Sequence, residues 1–463
     1  MKQFVRKFIG DRNFYRKVIT ITIPIMIQQA ITNFVGMLDN IMVGQIGTTQ
    51  MSGVAIANQL MFVFNICIFG AVSGAGIYGA QFYGKGDREG LRNTFRFKIL
   101  VCAAVSIIAI ALFWFKGAAL IDLYLQGEGS AESAAQVLES GLKYLMIMLL
   151  GVIPFAWTQC YASTLKETGE TVLPMKAGVT AVFVNLVFNY ILIFGKLGAP
   201  ALGALGAAVA TVLSRYVELF IVIIWTHRHH AINDWVEGVY RSFKMPGSLV
   251  KSITMTGAPL LFNETIWAAG QAVITQCYSS RGIAAVAALN ISSTISNVFN
   301  VVFFAMGNAI GIMVGQLLGA NKMDEAKDTD RKLIFFSVVS CFVVGGIMAV
   351  VAPLFPAIYK TEQIVKDYAT AFLRIAALCM PLNAFTHASY FTLRSGGKTV
   401  ITFLFDSVFV WVVNIPLAYC LCHFTGLTII PVILICSLAE AFKCIIGFIL
   451  VKKGVWLHNI VNG

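Results

Sequence analysis

The chain has 463 residues, of which 58% are hydrophobic and only 12% are charged, and its formal net charge is +12. This composition excludes an ordinary soluble domain, in which about 25% of residues are charged. It predicts a protein with many membrane-spanning helices. In such a protein Lys and Arg are expected in excess on the cytoplasmic side, so the positive charge does not indicate nucleic-acid binding.

The sequence has no evident motif for cofactor, nucleotide or metal chemistry. At residues 396–399 (GGKT) the first glycine of a Walker A loop would fall on Thr392. The ten cysteines lie in or beside apolar runs, so we interpret them as core residues rather than disulfides or metal ligands. His227, His229 and His230 lack a framework of carboxylates or cysteines. We therefore expect no enzyme activity, no cofactor and no bound structural metal.

From the N-terminus, residues 1–16 form a basic, partly apolar arm that is predicted to lie at the membrane interface. Apolar segments follow, each with about the 20 residues that a membrane-spanning helix requires. The twelve segments lie at residues 18–44, 52–83, 95–115, 138–164, 172–195, 202–226, 250–279, 284–318, 333–357, 366–393, 400–422 and 427–451. A polar linker at residues 227–248 separates an N-lobe, residues 17–226, from a C-lobe, residues 249–463.

Charge in the connections predicts the orientation. The connection at residues 85–98 and the one after Ala320 are rich in Lys and Arg, whereas residues 117–136 hold three acidic residues. Basic loops stay on the cytoplasmic side of a membrane. We therefore expect both termini in the cytoplasm and the protein in the plasma or inner membrane, and an even number of spans agrees.

The two halves of the chain repeat each other at an offset of 235 residues. The matching positions include Pro24 with Pro259, Gly76-Ile77 with Gly311-Ile312, Gln81 with Gln316, and Gly84 with Gly319. Six spans in each half give the two lobes the same topology, so their pseudo-two-fold axis runs along the membrane normal. This arrangement is typical of alternating-access transporters. A duplicated channel would also repeat, but we find no re-entrant filter segment.

The first predicted span carries a single carboxylate, Asp39, and an early proline, Pro24. A carboxylate at membrane depth costs about 2.5–3.5 kcal/mol and commonly marks an ion, proton or substrate path. The alternative is a residue that reaches the headgroups, since Gly44 is only five positions further. Because Pro24 lacks a backbone N–H, the helix can bend there with little loss of hydrogen bonding, and we predict a hinge at this position.

Polar residues in the fifth and sixth spans complete a candidate ion-coupling site with Asp39. Asn185 and Asn189 are spaced i,i+4, on one helix face. Their carbonyl oxygens can coordinate a cation or accept a hydrogen bond from a protonated Asp39. Thr211, in a run of small residues, adds a hydroxyl. Ordinary interhelical hydrogen bonding is the alternative interpretation.

The C-lobe holds two further carboxylates within predicted spans, Glu264 in the seventh and Asp406 in the eleventh. We take them as candidates for a cavity or a second cation site. The alternative for Glu264 is contact with headgroups or a hydrogen bond within the helix packing. The i,i+3 pairs Arg215 with Glu218 and Glu440 with Lys443 are instead expected to neutralise each other.

Several motifs together resemble the MATE (multidrug and toxic compound extrusion) family over essentially the whole chain. They are Pro24 with Asp39, the turns LKETGETVLPMK and LRSGGKT, FNYILIFG followed by GALGAAVAT, and the Pro259–Glu264 segment. Each motif is loose, but their order and spacing are specific.

The resemblance implies a cation-coupled exporter of bulky, often cationic organic compounds. In the family pattern the N-lobe acid falls on Asp39, and the polar pair on Asn185 and Asn189. The NorM-type C-lobe glutamate falls on Glu264. The chain has Lys398 where NorM-type members often carry Asp, which favours the N-lobe as the coupling site and leaves H⁺ or Na⁺ open as the coupling ion.

Two other functions are compatible with the sequence. One is a lipid-linked oligosaccharide flippase of the same superfamily, although such flippases commonly have more than twelve spans and a cationic cavity. The other is a specific metabolite transporter. In each case the expected partners are a small organic molecule and the lipid bilayer, with no nucleic acid, and the expected functional unit is a monomer.

Overall fold

The computed structural model describes residues 7–44, 48–125, 131–359 and 361–462, and this part of the chain contains helices and no β-strand. A chain in lipid must satisfy its backbone hydrogen bonds internally, which long apolar runs do as helices. The helices are α1 Arg12–Gly44, α2 Thr48–Lys85, α3 Arg88–Asp122, α4 Ala131–Leu149, α5 Val152–Glu167, α6 Val172–Phe194, α7 Ala204–Arg228, α8 Gly247–Ser279, α9 Ile283–Gly319, α10 Met323–Val351, α11 Leu354–Ala357, α12 Gln363–Ser395, α13 Thr399–Phe403, α14 Ile415–Phe424, α15 Ile429–Leu438 and α16 Glu440–Lys452.

Most of the predicted spans are long, apolar helices. Within the described residues nine helical stretches are long and apolar enough to cross a membrane, and α4 with α5 forms one further pair, bent by 47°. The remaining two, α1 and α8, have 33 residues each and contain Pro24 and Pro259. At 1.5 Å per residue each reaches about 50 Å, more than a bilayer requires. The result is the predicted all-α layout of twelve helices in two six-helix halves.

The chain packs as two compact units. The C-unit contains the described residues up to Met26, residues Ala80–Asp87, and the chain from Met255 onward. The N-unit contains Ile27–Gly79 and Arg88–Thr254. Helix α1 therefore begins in the C-unit and continues in the N-unit, and the change from one unit to the other falls after Met26, two residues beyond Pro24. The lobes predicted from the repeat, residues 17–226 and 249–463, are defined by the order of the spans along the chain and stay a prediction.

The N-terminal half of α1 belongs to the C-unit because of its apolar face. Val18, Ile21 and Ile25, which are three and four positions apart, lie in one buried cluster with residues of α9 and α12. Residues at this spacing share one side of a helix. Burial of this stripe ties the start of α1 to the second half of the chain.

In the C-unit, the end of α2 crosses the end of α9 at two glycines that the repeat relates. A Cβ atom on Gly84 would lie 1.9 Å from the backbone oxygen of Gln316, and one on Gly319 would lie 1.9 Å from that of Gln81. Only glycine permits backbones to approach so closely. The buried Gln81 side chain also donates to Ser395 O at 2.9 Å and accepts from the Ile460 N–H at 2.9 Å.

The linker folds onto the N-unit rather than extending into solvent. The buried Trp235 packs on the ring of Phe95, with 4.7 Å between centroids. Arg96 donates from Nε to Val239 O at 2.9 Å and from Nη2 to Gly238 O at 3.0 Å. Arg96, in a connection predicted to be cytoplasmic, thus satisfies two backbone carbonyls of the linker, while His229 and His230 remain exposed.

Candidate functional site

The candidate site in the C-unit begins on α8, four residues after Pro259. Pro259 has no N–H to donate to the Met255 carbonyl, so the helix is weakened at this point. Asn263 is buried and Glu264 is half-buried, and both follow directly in the next turn. Polar side chains at this depth must find partners within the protein.

The eleventh predicted span is not a regular α-helix. Between α13 and α14 it contains two π-helical segments, Leu404–Val408 and Val410–Asn414. A π-helical turn holds an extra residue and changes the direction in which side chains point, and such turns are frequent at functional sites. Here the two segments carry Asp406, Ser407 and Asn414, which form hydrogen bonds with residues of other helices.

Asp406 forms an ion pair with Lys443 of α16, with 2.6 Å between Oδ1 and Nζ. Its second oxygen, Oδ2, accepts a hydrogen bond from Asn263 Nδ2 at 3.2 Å. The hydroxyl of Ser407 lies 2.8 Å from Asn263 Oδ1 and donates to it, which turns the amide nitrogen toward Asp406. The structure therefore places Asp406 against a cation of the chain itself.

Tyr390 of α12 connects this pair to Glu264. Its hydroxyl accepts from Asn263 Nδ2 at 3.4 Å and donates to Glu264 Oε1 at 3.4 Å. Among the described residues, no Lys or Arg nitrogen lies within 4.0 Å of the Glu264 carboxylate. One hydrogen-bonded series thus runs from Lys443 through Asp406, Asn263 and Tyr390 to Glu264.

An aromatic group lies beside Tyr390. The His387 ring is 4.9 Å from Phe304 and 5.1 Å from Phe391, and Phe391 is 5.5 Å from Tyr390 between centroids. Aromatic faces attract organic cations, and a nearby carboxylate adds charge complementarity. Arg394 already lies over the Phe391 ring, 5.2 Å from its centre, so Glu264 and the rings of Phe304 and His387 are the groups that could attract a cationic, partly apolar solute.

In the N-unit the structure brings together three of the predicted coupling residues. Asn189 Nδ2 donates to Asn185 Oδ1 at 3.1 Å, and Asn185 Nδ2 donates to Thr211 Oγ1 at 3.2 Å. Both asparagines are buried on α6. Gly206 makes the contact possible, because a Cβ atom there would lie 2.6 Å from the Leu192 backbone, so α7 packs closely on α6.

The fourth coupling residue, Asp39, lies in α1, but its side chain is outside the part of the chain that the structure describes. Its role stays a prediction. Pro24 is buried in α1 at the place where the chain passes from the C-unit to the N-unit. That position is suitable for the predicted hinge, whose function also stays a prediction.

The two ion pairs expected from i,i+3 spacing, Arg215 with Glu218 and Glu440 with Lys443, are not the main contacts of these side chains in the structure. Arg215 donates to Gly151 O at 3.1 Å and lies 4.9 Å from the centre of the Phe155 ring. Arg215 and Glu218, both of which the structure describes, do not come within the 4.0 Å of an ion pair. The two charges still attract each other electrostatically, but helical spacing did not predict the contacts that Arg215 makes with Gly151 and Phe155. Glu440 is 3.9 Å from Lys443, but Asp406 is the nearer partner.

Sequence reasoning missed Asn263, Ser407, Tyr390 and the pairing of Lys443 with Asp406. A lysine inside an apolar run signals that a counter-ion must be near. Spacing along the chain offered Glu440 as that partner, whereas Asp406, 37 positions away, lies closer in space.

The comparisons with known proteins agree with this architecture. The MatE family profile matches residues 24–191 and 259–420, and the two matches begin 235 residues apart, at Pro24 and Pro259. The probable multidrug resistance protein NorM of Thermotoga maritima is 24% identical over 406 residues, which cover 87% of this chain and 85% of that protein. The multidrug resistance protein MdtK of Pectobacterium atrosepticum is 25% identical over 410 residues, with 88% and 87% covered.

A solved structure extends the likeness to the fold. An outward-facing conformation of a multidrug resistance MATE family transporter of the MOP superfamily aligns with a TM-score of 0.87 at 18% identity, and 97% of each chain is covered. Long apolar helices repeated in two halves, with polar groups enclosed inside each, define a multi-pass membrane transport protein. The chain belongs to the MatE family of transporters.

Proposed function

We propose that the protein is a secondary antiporter that exports bulky organic compounds, cationic ones among them, in exchange for H⁺ or Na⁺ by alternating access. The similarity to proteins named multidrug resistance proteins along 87–88% of this chain supports the cargo class. The observation that carries the proposal is the pair of enclosed polar groups, one in each unit: Asn185, Asn189 and Thr211, and the series that ends at Glu264.

The two groups suit different tasks. The N-unit group offers amide and hydroxyl oxygens, which are hard ligands for Na⁺ or partners for a protonated carboxyl. Asp39 supplies the charge that alternates in this scheme. Glu264, beside the aromatic rings of α12, attracts the organic cation. The C-unit glutamate therefore contributes to cargo affinity, and the N-unit group couples transport to the ion.

The remaining expectations complete the proposal. The protein acts as a monomer in the plasma or inner membrane, with both termini in the cytoplasm, and it needs no cofactor beyond the coupling cation. The lobes are residues 17–226 and 249–463, joined by the linker at residues 227–248 and preceded by the interfacial arm at residues 1–16.

Purified protein in liposomes tests the function directly. A fluorescent organic cation is supplied on one side, and an inward H⁺ gradient or an inward Na⁺ gradient is imposed separately. We expect dye movement against its own gradient with one of the two ions, and its loss when an ionophore for that ion is added. Equal dye flux with and without either gradient would instead indicate a channel or a uniporter.

A further inference from the structure

We propose that the ammonium group of Lys443 is a resident cation that fills a cation-binding cage in the C-unit, so that Asp406 takes up no ion from solution. The cage consists of two carboxylates, Asp406 and Glu440, and two aromatic rings, Phe405 and Phe409. This inference deepens the proposed function, and it rests on that function only for its consequence in transport, which is that Glu264 is the C-unit carboxylate available to a cationic solute.

The surroundings of the Lys443 ammonium are those of a bound cation. Its nitrogen is 2.6 Å from Asp406 Oδ1 and 3.9 Å from Glu440 Oε2. It lies 5.2 Å from the centre of the Phe405 ring and 5.9 Å from that of Phe409, within the range of cation–π attraction. The side chain is only 8% exposed. Carboxylate oxygens and ring faces enclose the charge, and these groups would hold an alkylammonium ion equally well.

Every carboxylate oxygen of the cage already has a partner within the chain. Asp406 Oδ1 binds Lys443, and Oδ2 accepts from Asn263 Nδ2 at 3.2 Å. Glu440 Oε2 faces Lys443, and Oε1 accepts from Asn414 Nδ2 at 3.1 Å. An inorganic cation that entered would have to displace the tethered ammonium, whose effective concentration at the site is set by its own backbone.

The helices of this region are arranged to hold the ammonium. Glu440 and Lys443 are one turn apart on α16, and the π-helical turn at Leu404–Val408 presents Phe405 and Asp406 to them. The Ser407 hydroxyl orients the Asn263 amide that completes the Asp406 contacts. By contrast, Glu264 is hydrogen-bonded in this series to the neutral hydroxyl of Tyr390, and Arg394 attracts its carboxylate without forming an ion pair within 4.0 Å.

The test removes the tethered ammonium and offers a free one. Lys443→Ala shortens the side chain to its β-carbon and leaves a cage the size of the lost aminopropyl group, next to two carboxylates. The thermal unfolding midpoint of the detergent-purified protein is measured with propylammonium chloride, sodium chloride and tetraethylammonium chloride at equal ionic strength. A ligand that binds the folded state raises this midpoint by mass action.

We expect the Lys443→Ala midpoint to lie well below that of the wild type and to rise with propylammonium concentration until it saturates. Tetraethylammonium, which is too large for the cage, should produce no such rise. The wild type should show no difference among the salts, and neither should Lys452→Ala, which removes an exposed lysine at the end of the same helix. Asp406→Asn combined with Lys443→Ala should abolish the propylammonium response.

Lys443→Gln serves as a second variant, because its amide can still donate to Asp406 while leaving both carboxylates without a cation. It should gain a sodium-dependent rise in its midpoint relative to choline chloride. A Lys443→Ala protein that keeps the wild-type midpoint, or one that no cation restores, would overturn the proposal. So would a sodium response of the wild type that Asp406→Asn removes. Because unfolding needs no transport, these results stand apart from the dye-flux test of antiport.

Discussion

Lys98 and Glu167 form an ion pair of 2.6 Å inside the N-unit, and their side chains are only 0% and 7% exposed. Ser163 and Thr164 complete the group, since Lys98 Nζ lies 3.1 Å and 3.0 Å from their hydroxyls. Glycines on α2 make room for the carboxylate, because a Cβ atom on Gly79 would lie 2.1 Å from Glu167 Oε2. The pair therefore joins α3 to α5, with both charges hydrogen-bonded, and α2 packs closely against it.

Removal of one partner should be more harmful than removal of both. Lys98→Met leaves an enclosed carboxylate without its cation, a change that costs about 3–5 kcal/mol in buried pairs. The double variant Lys98→Met with Glu167→Gln should recover most of that loss. Thermal unfolding of the purified variants in detergent measures both. Equal midpoints for the single and the double variant would show that the charges do not stabilise each other.

The glycine crossing in the C-unit predicts a sharp steric effect. Gly319→Ala places a methyl group 1.9 Å from the Gln81 backbone oxygen, so α2 and α9 must separate at this point. We expect a strong loss of thermal stability and of transport. Gly346→Ala is the matched control on α10, where a Cβ atom meets nothing within 4 Å. That control should be neutral or slightly more stable, by up to about 1 kcal/mol. Equal behaviour of the two variants would argue against the close crossing.

The hinge hypothesis predicts a loss of transport without a loss of folding. Pro24→Ala restores a backbone N–H to α1 at the place where the chain passes between the two units, which stiffens the helix. Dye transport in proteoliposomes should fall while expression and the unfolding midpoint stay near those of the wild type. Pro200→Ala, at an exposed position between α6 and α7, is the control. Full transport by Pro24→Ala would contradict the hinge hypothesis.

The topology can be measured with a single cysteine. Ser242 is exposed on the linker, so Ser242→Cys in a cysteine-free background should react readily with a thiol reagent. With an impermeant reagent we expect labelling only after the cells are opened, because the surrounding loops are basic and basic loops stay in the cytoplasm. Labelling of intact cells would show that the linker lies outside the cell and that the predicted orientation is wrong.

The sequence was sufficient for the architecture because lipid permits few alternatives. Apolar runs in a bilayer must be helices, and matching positions such as Pro24 and Pro259 are visible without a structure. The Asn185–Asn189 contact was also predictable, because residues i and i+4 face the same side of a helix. Each of these inferences depends on local spacing or on direct repetition.

Contacts between helices distant in sequence could not be predicted in this way. The pairing of Asp406 with Lys443 depends on how α16 packs against a π-helical segment, and no periodicity of the sequence predicted that segment. Likewise, Gly151 and Phe155 surround Arg215 only because α5 and α7 are neighbours. The start of α1 likewise belongs to the C-unit because it packs against α9 and α12, which are distant in sequence.

We assign ion coupling to Asp39 and cargo attraction to Glu264. Asp39→Asn keeps the size of the side chain and much of its hydrogen bonding, but it cannot take up and release a proton and has no negative charge to attract a cation. Glu264→Gln makes the same change in the C-unit, and Asp122→Asn at the exposed end of α3 is the control. Asp39→Asn and Glu264→Gln are expected to fold because a neutral amide at membrane depth costs less than a charge, and Asp122→Asn because the residue is exposed.

The most direct test is dye transport by these variants in proteoliposomes under separate H⁺ and Na⁺ gradients. We expect Asp39→Asn to abolish gradient-driven export. Glu264→Gln should cause a smaller loss that differs among cargoes, and Asp122→Asn should behave as the wild type. If Asp39→Asn keeps gradient-driven export and Glu264→Gln abolishes it for every cargo, the coupling site lies in the C-unit and not at Asp39.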